Sequence, residues 1–368
     1  MKTLIRHEFD LIKLMFWLTL CVLATFGLQA SNIYIALKNS YLENIIWEPD
    51  IQNNLLRILT NNGAMALVIM IMVYVQFKEI KGENVSEFIL SLPFTSKDIL
   101  VAKIVAGLSL IMFAGIGIGI IFLVVNMAAI ELIENMRMLM PSGHLFTETY
   151  TNFSIIVITI RYILEMVLIY SFLVMGQFLI KKAGLSVTFM IGGVLSILYV
   201  LIIVSHMLYV NLINPGVLPS TVEAVRKIFD AIGEIGQMIG NVYFMDTPKE
   251  YLAYSINEIT YYYTVYPQKL GWATIASVST IGLFFSISMY LVDKVGFTRI
   301  QYFTISKTWD KVIVIWCGLC CGLFQYFYTV IVIGGRFDLL DMISALIWAG
   351  LGMIIMRLIV KRSVIGGE

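Results

Sequence analysis

Residues 101–130 read VAKIVAGLSLIMFAGIGIGIIFLVVNMAAI, and the nature of this stretch decides the fold class. A run of that length with so few polar groups suits a helix crossing a bilayer, whose hydrocarbon core takes about 20 apolar residues per helix. A barrel strand would alternate apolar and polar residues over about ten positions, which this stretch does not do. Gly115, Gly117 and Gly119 look superficially like a nucleotide-binding glycine cluster, yet no strand precedes them. Within an apolar helix, Gly115 and Gly119 instead make a G-x-x-x-G surface for close packing.

Seven further runs of this kind lie outward from it, at 14–35, 63–77 with a few preceding residues, 154–180, 185–210, 273–292, 312–333 and 342–360, so eight transmembrane helices are expected. The chain is 59% hydrophobic and 13% charged, with mean hydropathy +0.88. A soluble domain could not cover its surface with so few polar residues, so the solvent for most of this chain is lipid. The fold class is all-α: a polytopic membrane protein.

Net charge is +1 and no basic domain is present, which argues against a nucleic-acid partner. With the amino terminus inside, sixteen Lys and Arg fall in inner segments and eight in outer ones, and Arg161 alone is left within a span. Lys103 counts among the inner sixteen. That asymmetry places both termini in the cytoplasm of a multi-pass protein of the cell membrane.

Residues 1–13 read as a helix lying in the inner interface. Leu4, Ile5, Phe9 and Ile12 share one face, with Lys2, Arg6, Glu8, Asp10 and Lys13 covering the rest. No small-residue cleavage site follows cleanly, so a removed signal peptide is not expected. Cys21, Cys317, Cys320 and Cys321 all fall in apolar runs, and no metal role is assigned to them or to the scattered His7, His144 and His206.

The inner loop between the second and third spans, KEIKGENVSEFILSLPFTSKDIL at 78–100, breaks into two helices at Pro93. Residues 84–92 form a short helix with Val85, Phe88 and Ile89 on one side and Glu83 and Glu87 on another. Pro93 ends it, because the residue before a proline is pushed out of the helical region. Thr95 and Asp98 then make a T-x-x-D capping pattern that opens a helix running into the third span. Two roles suit the apolar side of the short helix: folding back on the lipid interface, or plugging a groove in another protein.

The outer loop at 211–271 is too long to be structureless. Ser220 and Glu223 form a capping box ahead of Val225, Phe229, Ile232, Ile235 and Ile239 at helical spacing. Thr247, Pro248 and Glu250 open a second expected helix, and Tyr261, Tyr262, Tyr263, Tyr266 and Trp272 mark the outer interface.

The interfacial amino-terminal helix, the short inner helix followed by LSLPFTSKDILVAK, and the outer helices between spans five and six together resemble the ABC-2 type permease subunits of ATP-binding cassette transporters. The resemblance covers roughly residues 1–292 in layout, and its motif content is that one stretch. It implies a six-span permease core at 14–292, with 293–311 as a cytoplasmic loop and 312–368 as two additional spans and a tail beyond the usual six. It also implies that Ser86, Glu87, Phe88, Ile89, Leu92, Pro93 and Thr95 couple to an ATPase, and that Phe229, Ile232 and Ile235 form an extracellular gate.

The partners implied are separate ABC ATPase subunits and a second permease, identical or homologous, with membrane lipids around them. ATP and Mg belong to the ATPase chain: no G-x-x-x-x-G-K-[ST] loop occurs here, so no cofactor and no enzymatic step are expected of this chain. Export of an amphipathic or hydrophobic substrate, such as a peptide, antibiotic or lipid-linked compound, is the implied activity.

Arg161 and Glu165 stand one turn apart in the fourth span. Charges at that depth are expensive and need protein or a wet cavity around them, so the pair is either a functional site or a structural lock. An ion- or proton-coupled secondary transporter would use such a pair, and a non-transporting sensor subunit would use the outer loop. Both stay open as alternatives. Asn126 and His206 lie toward the outer ends of their spans.

Overall fold

The computed structural model describes residues 2–42, 63–81, 93–139, 152–213, 250–256, 259–265, 270–294, 296–297, 302–333 and 338–365. Helices dominate: α1 (Lys2–Leu11), α2 (Lys13–Leu42), α3 (Gly63–Lys78), α4 (Ser96–Leu139), α5 (Asn152–Leu179) and α6 (Ala183–Ile213) precede a hairpin of β1 (Glu250–Ile256) and β2 (Ile259–Val265). Then follow α7 (Leu270–Lys294), α8 (Lys307–Tyr326), a π-helical turn (Phe327–Val332) and α9 (Leu339–Ile365).

Seven of these helices are long and apolar enough to cross a membrane. The eighth expected span, 63–77 with a few preceding residues, corresponds to α3, of which 16 residues are described; the residues before Gly63 lie outside the described ones. Large side chains such as Ile197, Leu201, Leu346 and Ile354 are exposed, as lipid-facing positions are.

The chain divides into two compact units. The first comprises Met1–Gln76, Asp98–Ser171 and Met238–Ser286; the second comprises Phe77–Lys97, Phe172–Gln237 and Ile287–Glu368.

In the first unit, α4 packs through its glycines. A Cβ added to Gly115 would overlap Ile163, and one added to Gly119 would come within 2.6 Å of Thr159 Cγ2. Gly117 faces Leu23 of α2 instead, so the glycines serve two neighbouring helices, as a small-residue packing surface should.

The amino-terminal segment differs from expectation in its facing. Leu4 and Ile12 are buried within the protein, Glu8 is buried with them, and Phe9 is 43% exposed. Leu4, Glu8 and Ile12 are spaced at i, i+4 and i+8, one stripe of a helix. Helix α1 ends at Leu11, and α2 restarts at Lys13 with Met15 N bonded to Ile12 O at 2.8 Å.

The second expected outer helix, opened at Thr247 and running to 257, is corrected by the hairpin. The strands pair antiparallel from Glu250↔Val265 to Ile256↔Ile259. The reason is local: Tyr, Thr and Ile dominate 250–265, and β-branched and aromatic residues favour strands over helices. Proline at a first helical position was the weaker signal.

In the second unit, Gly296 adopts φ +66 and its N–H bonds to Val292 O at 3.1 Å, ending α7 in a left-handed turn that glycine takes without strain. Phe297 then packs on Phe77 and Phe178, with ring centroids 6.4 and 5.5 Å away. Helices α8 and α9 form a close hairpin: Gly318 and Gly322 lie against Met353 and Ala349, and Gly352 lies against Cys321.

Candidate functional site: a buried ion pair beneath the amino-terminal helix

Lys103 stands two turns into α4, where the sequence already reads as apolar. Its ammonium donates to Glu8 Oε1 at 2.8 Å, and each side chain is only 3% exposed. A helix that carries one carboxylate on its apolar stripe can be docked only where a cation meets it, because a buried charge must be paired.

A second lock surrounds the pair. Lys103 Nζ also donates to the Gln76 carbonyl at 2.5 Å, while Gln76 Nε2 donates back to the Lys103 carbonyl at 2.9 Å. Each side chain thus bonds the other's backbone, tying the end of α3 to the start of α4. The Tyr170 hydroxyl of α5 lies 3.0 Å from the Lys103 carbonyl and 3.1 Å from Gln76 Oε1. Gly107, one turn beyond Lys103, makes that approach possible, since a Cβ there would overlap the tyrosine hydroxyl. Helices α3, α4 and α5 and the amino-terminal helix converge on this one point.

None of Glu8, Gln76, Lys103 and Tyr170 is among the site residues expected from sequence. A signal was present for two of them: Glu8 shares its stripe with Leu4 and Ile12, and Lys103 interrupts an apolar run. Lys103, counted with the inner charges by the sequence, is buried within the protein at the inner end of the apolar run.

Of the expected site residues, Pro93 and Thr95 lie in the turn that leads into α4, both exposed, and α4 begins at Ser96 directly after Thr95, where the capping pattern placed it. Ser86, Glu87, Phe88, Ile89 and Leu92 lie outside the described residues, as do Phe229, Ile232 and Ile235. Next to the α4 start, Lys97 pairs with Asp293 at 2.7 Å on the surface. Arg161 and Glu165 both lie on α5, with Glu165 buried and Arg161 half-buried; Asn126 of α4 is buried in the same unit. The side chain of His206 lies outside the described residues.

A further polar cluster sits in the α8–α9 hairpin, where α8 passes into the π-helical turn. Gln325 Nε2 and Thr329 Oγ1 donate to Asp341 Oδ1 at 2.9 and 3.0 Å, and Ser344 Oγ donates to Gln325 Oε1 at 3.2 Å. Asp338 caps α9 by accepting from Asp341 N at 3.0 Å. The cluster satisfies itself, which suits a lock within an apolar hairpin.

Lys81 closes a helix end. Its ammonium donates to the carbonyls of Gln177 and Ile180, the latter at 2.8 Å, at the carboxy-terminal end of α5, where helix carbonyls lack intrahelical donors. Burial pulls this lysine down to about 7. Its unfolded value is 10.5, so between about 7 and 10.5 the unfolded chain binds more protons and stability should rise with pH. Lys81→Met should flatten that rise in thermal unfolding of the detergent-solubilised protein. A slope identical to that of the wild type would show that another group controls it.

Among the described residues, no three His, Cys, Asp or Glu converge to hold a metal ion. No family model, curated protein or solved structure matches this chain.

Proposed function

We propose that this chain is the membrane-spanning permease subunit of an ATP-binding cassette transporter of the ABC-2 type. In this reading it exports an amphipathic or hydrophobic substrate and is driven by ATPase subunits on separate chains. The observation that carries the reading is the junction at Pro93–Thr95, which feeds directly into one unbroken helix of 44 residues. At about 1.5 Å per residue such a helix is roughly 66 Å long, twice the hydrocarbon core, so a push at its start moves its far end as one body.

The buried lock at Lys103 supports this use of α4. It lies two turns from the junction and holds α1, α3 and α5 to the moving helix, so displacement of residues 84–92 by an ATPase would be passed to the spans rather than absorbed locally. ATP and Mg would act on the partner chain, a second permease would complete the pathway, and both termini would lie in the cytoplasm.

Affinity capture of the full chain from its native membranes tests the reading. A soluble ATPase carrying a phosphate-binding loop should co-purify, and Phe88→Asp should reduce its recovery about tenfold or more while the yield of the membrane protein is unchanged, as expected for losing a central apolar anchor. Capture with no ATPase, or equal recovery with Phe88→Asp, would remove the coupling role.

A second reading, an ion- or proton-coupled transporter, draws on Glu165, a carboxylate buried in a span one turn from Arg161. Proton-driven uptake in vesicles without ATP, lost in Glu165→Gln, would favour it over the first.

A further inference from the structure

Within the second unit, α6 and α8 enclose an apolar cleft of about 570 Å³. Phe189, Gly193 and Ser196 of α6 face Trp309, Ile313 and Trp316 of α8 across it. A Cβ on Gly192 or Gly193 would meet nothing within 4 Å, so these glycines leave open volume rather than packing against a neighbour. Polar groups on the lining satisfy one another: Trp316 Nε1 donates to Ser196 Oγ at 2.8 Å, and Ser196 Oγ donates to Gly193 O at 2.8 Å. What the cleft offers a ligand is apolar surface.

Its length matches one leaflet. From Trp309 to Cys320 the lining of α8 spans twelve residues, about 16 Å end to end at roughly 1.5 Å per residue, or half of a ~30 Å hydrocarbon core.

One end is basic. Ile180 and Thr304 line the cleft there and pair as an antiparallel bridge, and Lys181 N donates to Phe303 O at 3.0 Å. That pairing sets Lys181 and Lys182, just before α6, beside the start of α8 at Lys307. The amino-terminal ends of both helices, α8 capped by Ser306, add their positive dipole ends. Asp310 is the acid in this part of α8, and it is buried, accepting from Phe303 N at 3.3 Å, Thr304 N at 2.8 Å and Thr304 Oγ1 at 2.6 Å. Lys181, Lys182 and Lys307 lie at this end of the two helices, Lys81 is bonded to the Ile180 carbonyl beside them, and the nearby acid of α8, Asp310, is enclosed.

We propose that this cleft is a lipid-binding site that takes one acyl chain of an anionic phospholipid, with the lipid phosphate held at the mouth by Lys181, Lys182 and Lys307. An apolar slot one leaflet long, open along Gly192 and Gly193 and basic at a single end, is complementary to that molecule and to neither a neutral lipid nor a soluble anion. The site goes beyond the permease reading and does not depend on it.

The test uses the full chain in a mild detergent, titrated with dioleoyl phosphatidylglycerol or dioleoyl phosphatidylcholine and read by native mass spectrometry. The wild type should retain one phosphatidylglycerol with about tenfold or greater preference over phosphatidylcholine, given the strength of lysine contacts at an anionic headgroup. K181Q/K182Q should bring that preference to within about twofold while leaving phosphatidylcholine binding unchanged, since only the headgroup contacts are lost. Gly193→Phe, which fills the slot, should abolish the single retained lipid of either kind. Circular dichroism and melting temperature check that both variants fold, and K181Q/K182Q alone decides the matter if Gly193→Phe does not. A wild type that binds both lipids equally, a double variant that keeps the preference, or a folded Gly193→Phe that still retains phosphatidylglycerol would each overturn the proposal. So would displacement of the lipid by millimolar inorganic phosphate, which would mean that the anion alone is recognised.

Discussion

Lys103→Met should lower the folding stability of this protein by about 3–5 kcal/mol, the range for breaking a buried ion pair by removing one partner. Methionine fills much the same space as the lysine stem, so packing changes little. Glu8, which is 2% exposed, loses the cation that faces it and stays enclosed as a carboxylate or takes up a proton. The Gln76 carbonyl also loses a donor that reached it at 2.5 Å. Denaturant-induced unfolding in mixed micelles measures the loss. The diagnostic companion is Glu8→Leu combined with Lys103→Met: replacing both ends of a buried pair with apolar groups of similar volume is often neutral or stabilising. The double variant should therefore recover most of what the single variant loses. Equal losses in the two would mean that the pair is not the unit that matters, and that Lys103 acts through Gln76 and Tyr170 alone.

Gly107→Ala should be strongly destabilising for a single added methyl group in α4. The new Cβ would overlap the hydroxyl and the ring of Tyr170, and this ring has nowhere to go. Tyr170 is fully buried and packs edge-on against Phe285 at 6.4 Å. Overpacking of this kind costs about 1–3 kcal/mol, and loss of the hydroxyl contact to the Lys103 carbonyl adds about 1 kcal/mol. Tyr170→Phe removes the hydroxyl but leaves ring carbons in overlap with the new methyl, so the cost of Gly107→Ala in that background should be only partly relieved relative to the wild type. Simple additivity of the two substitutions would show that the glycine is needed for another reason.

Both predictions concern residues that a reading of the chain alone passes over, and the cause is physical. Glu8 was placed on the wet side of α1 because an acidic residue is mostly exposed. The Leu4, Glu8, Ile12 spacing could have suggested otherwise, but only a cation at the other end makes burial of a carboxylate tolerable, and that cation lies 95 residues away. Lys103 was read as the last inner charge before a span. A lysine near a helix start satisfies itself equally well by reaching water or by meeting a buried partner, and the flanking residues are the same in both cases.

Local sequence decides the structure where one strong signal acts. The start of α4 directly after Thr95 follows from proline at 93 and the capping pattern, both confined to a few neighbouring residues. The close packing at Gly115 and Gly119 follows from the smallness of glycine in an apolar helix, while the contact of Gly117 with Leu23 was decided by the packing of α2. The hairpin at 250–265 was missed where two local signals competed, a helix-opening proline and a run of strand-favouring tyrosines.

The amino-acid order alone determined that this chain is a set of apolar helices sized for a bilayer, since the length and polarity of each run depend only on neighbours in the chain. It also determined where several of those helices begin. Only the tertiary structure decided that α1 is fastened to α4 by a carboxylate and an ammonium, that Gly107 exists for Tyr170, and that α6 and α8 leave a slot between them. Each of these joins residues that are distant in sequence, and which distant charge or void meets which is set by how the helices pack, not by any pattern within one of them.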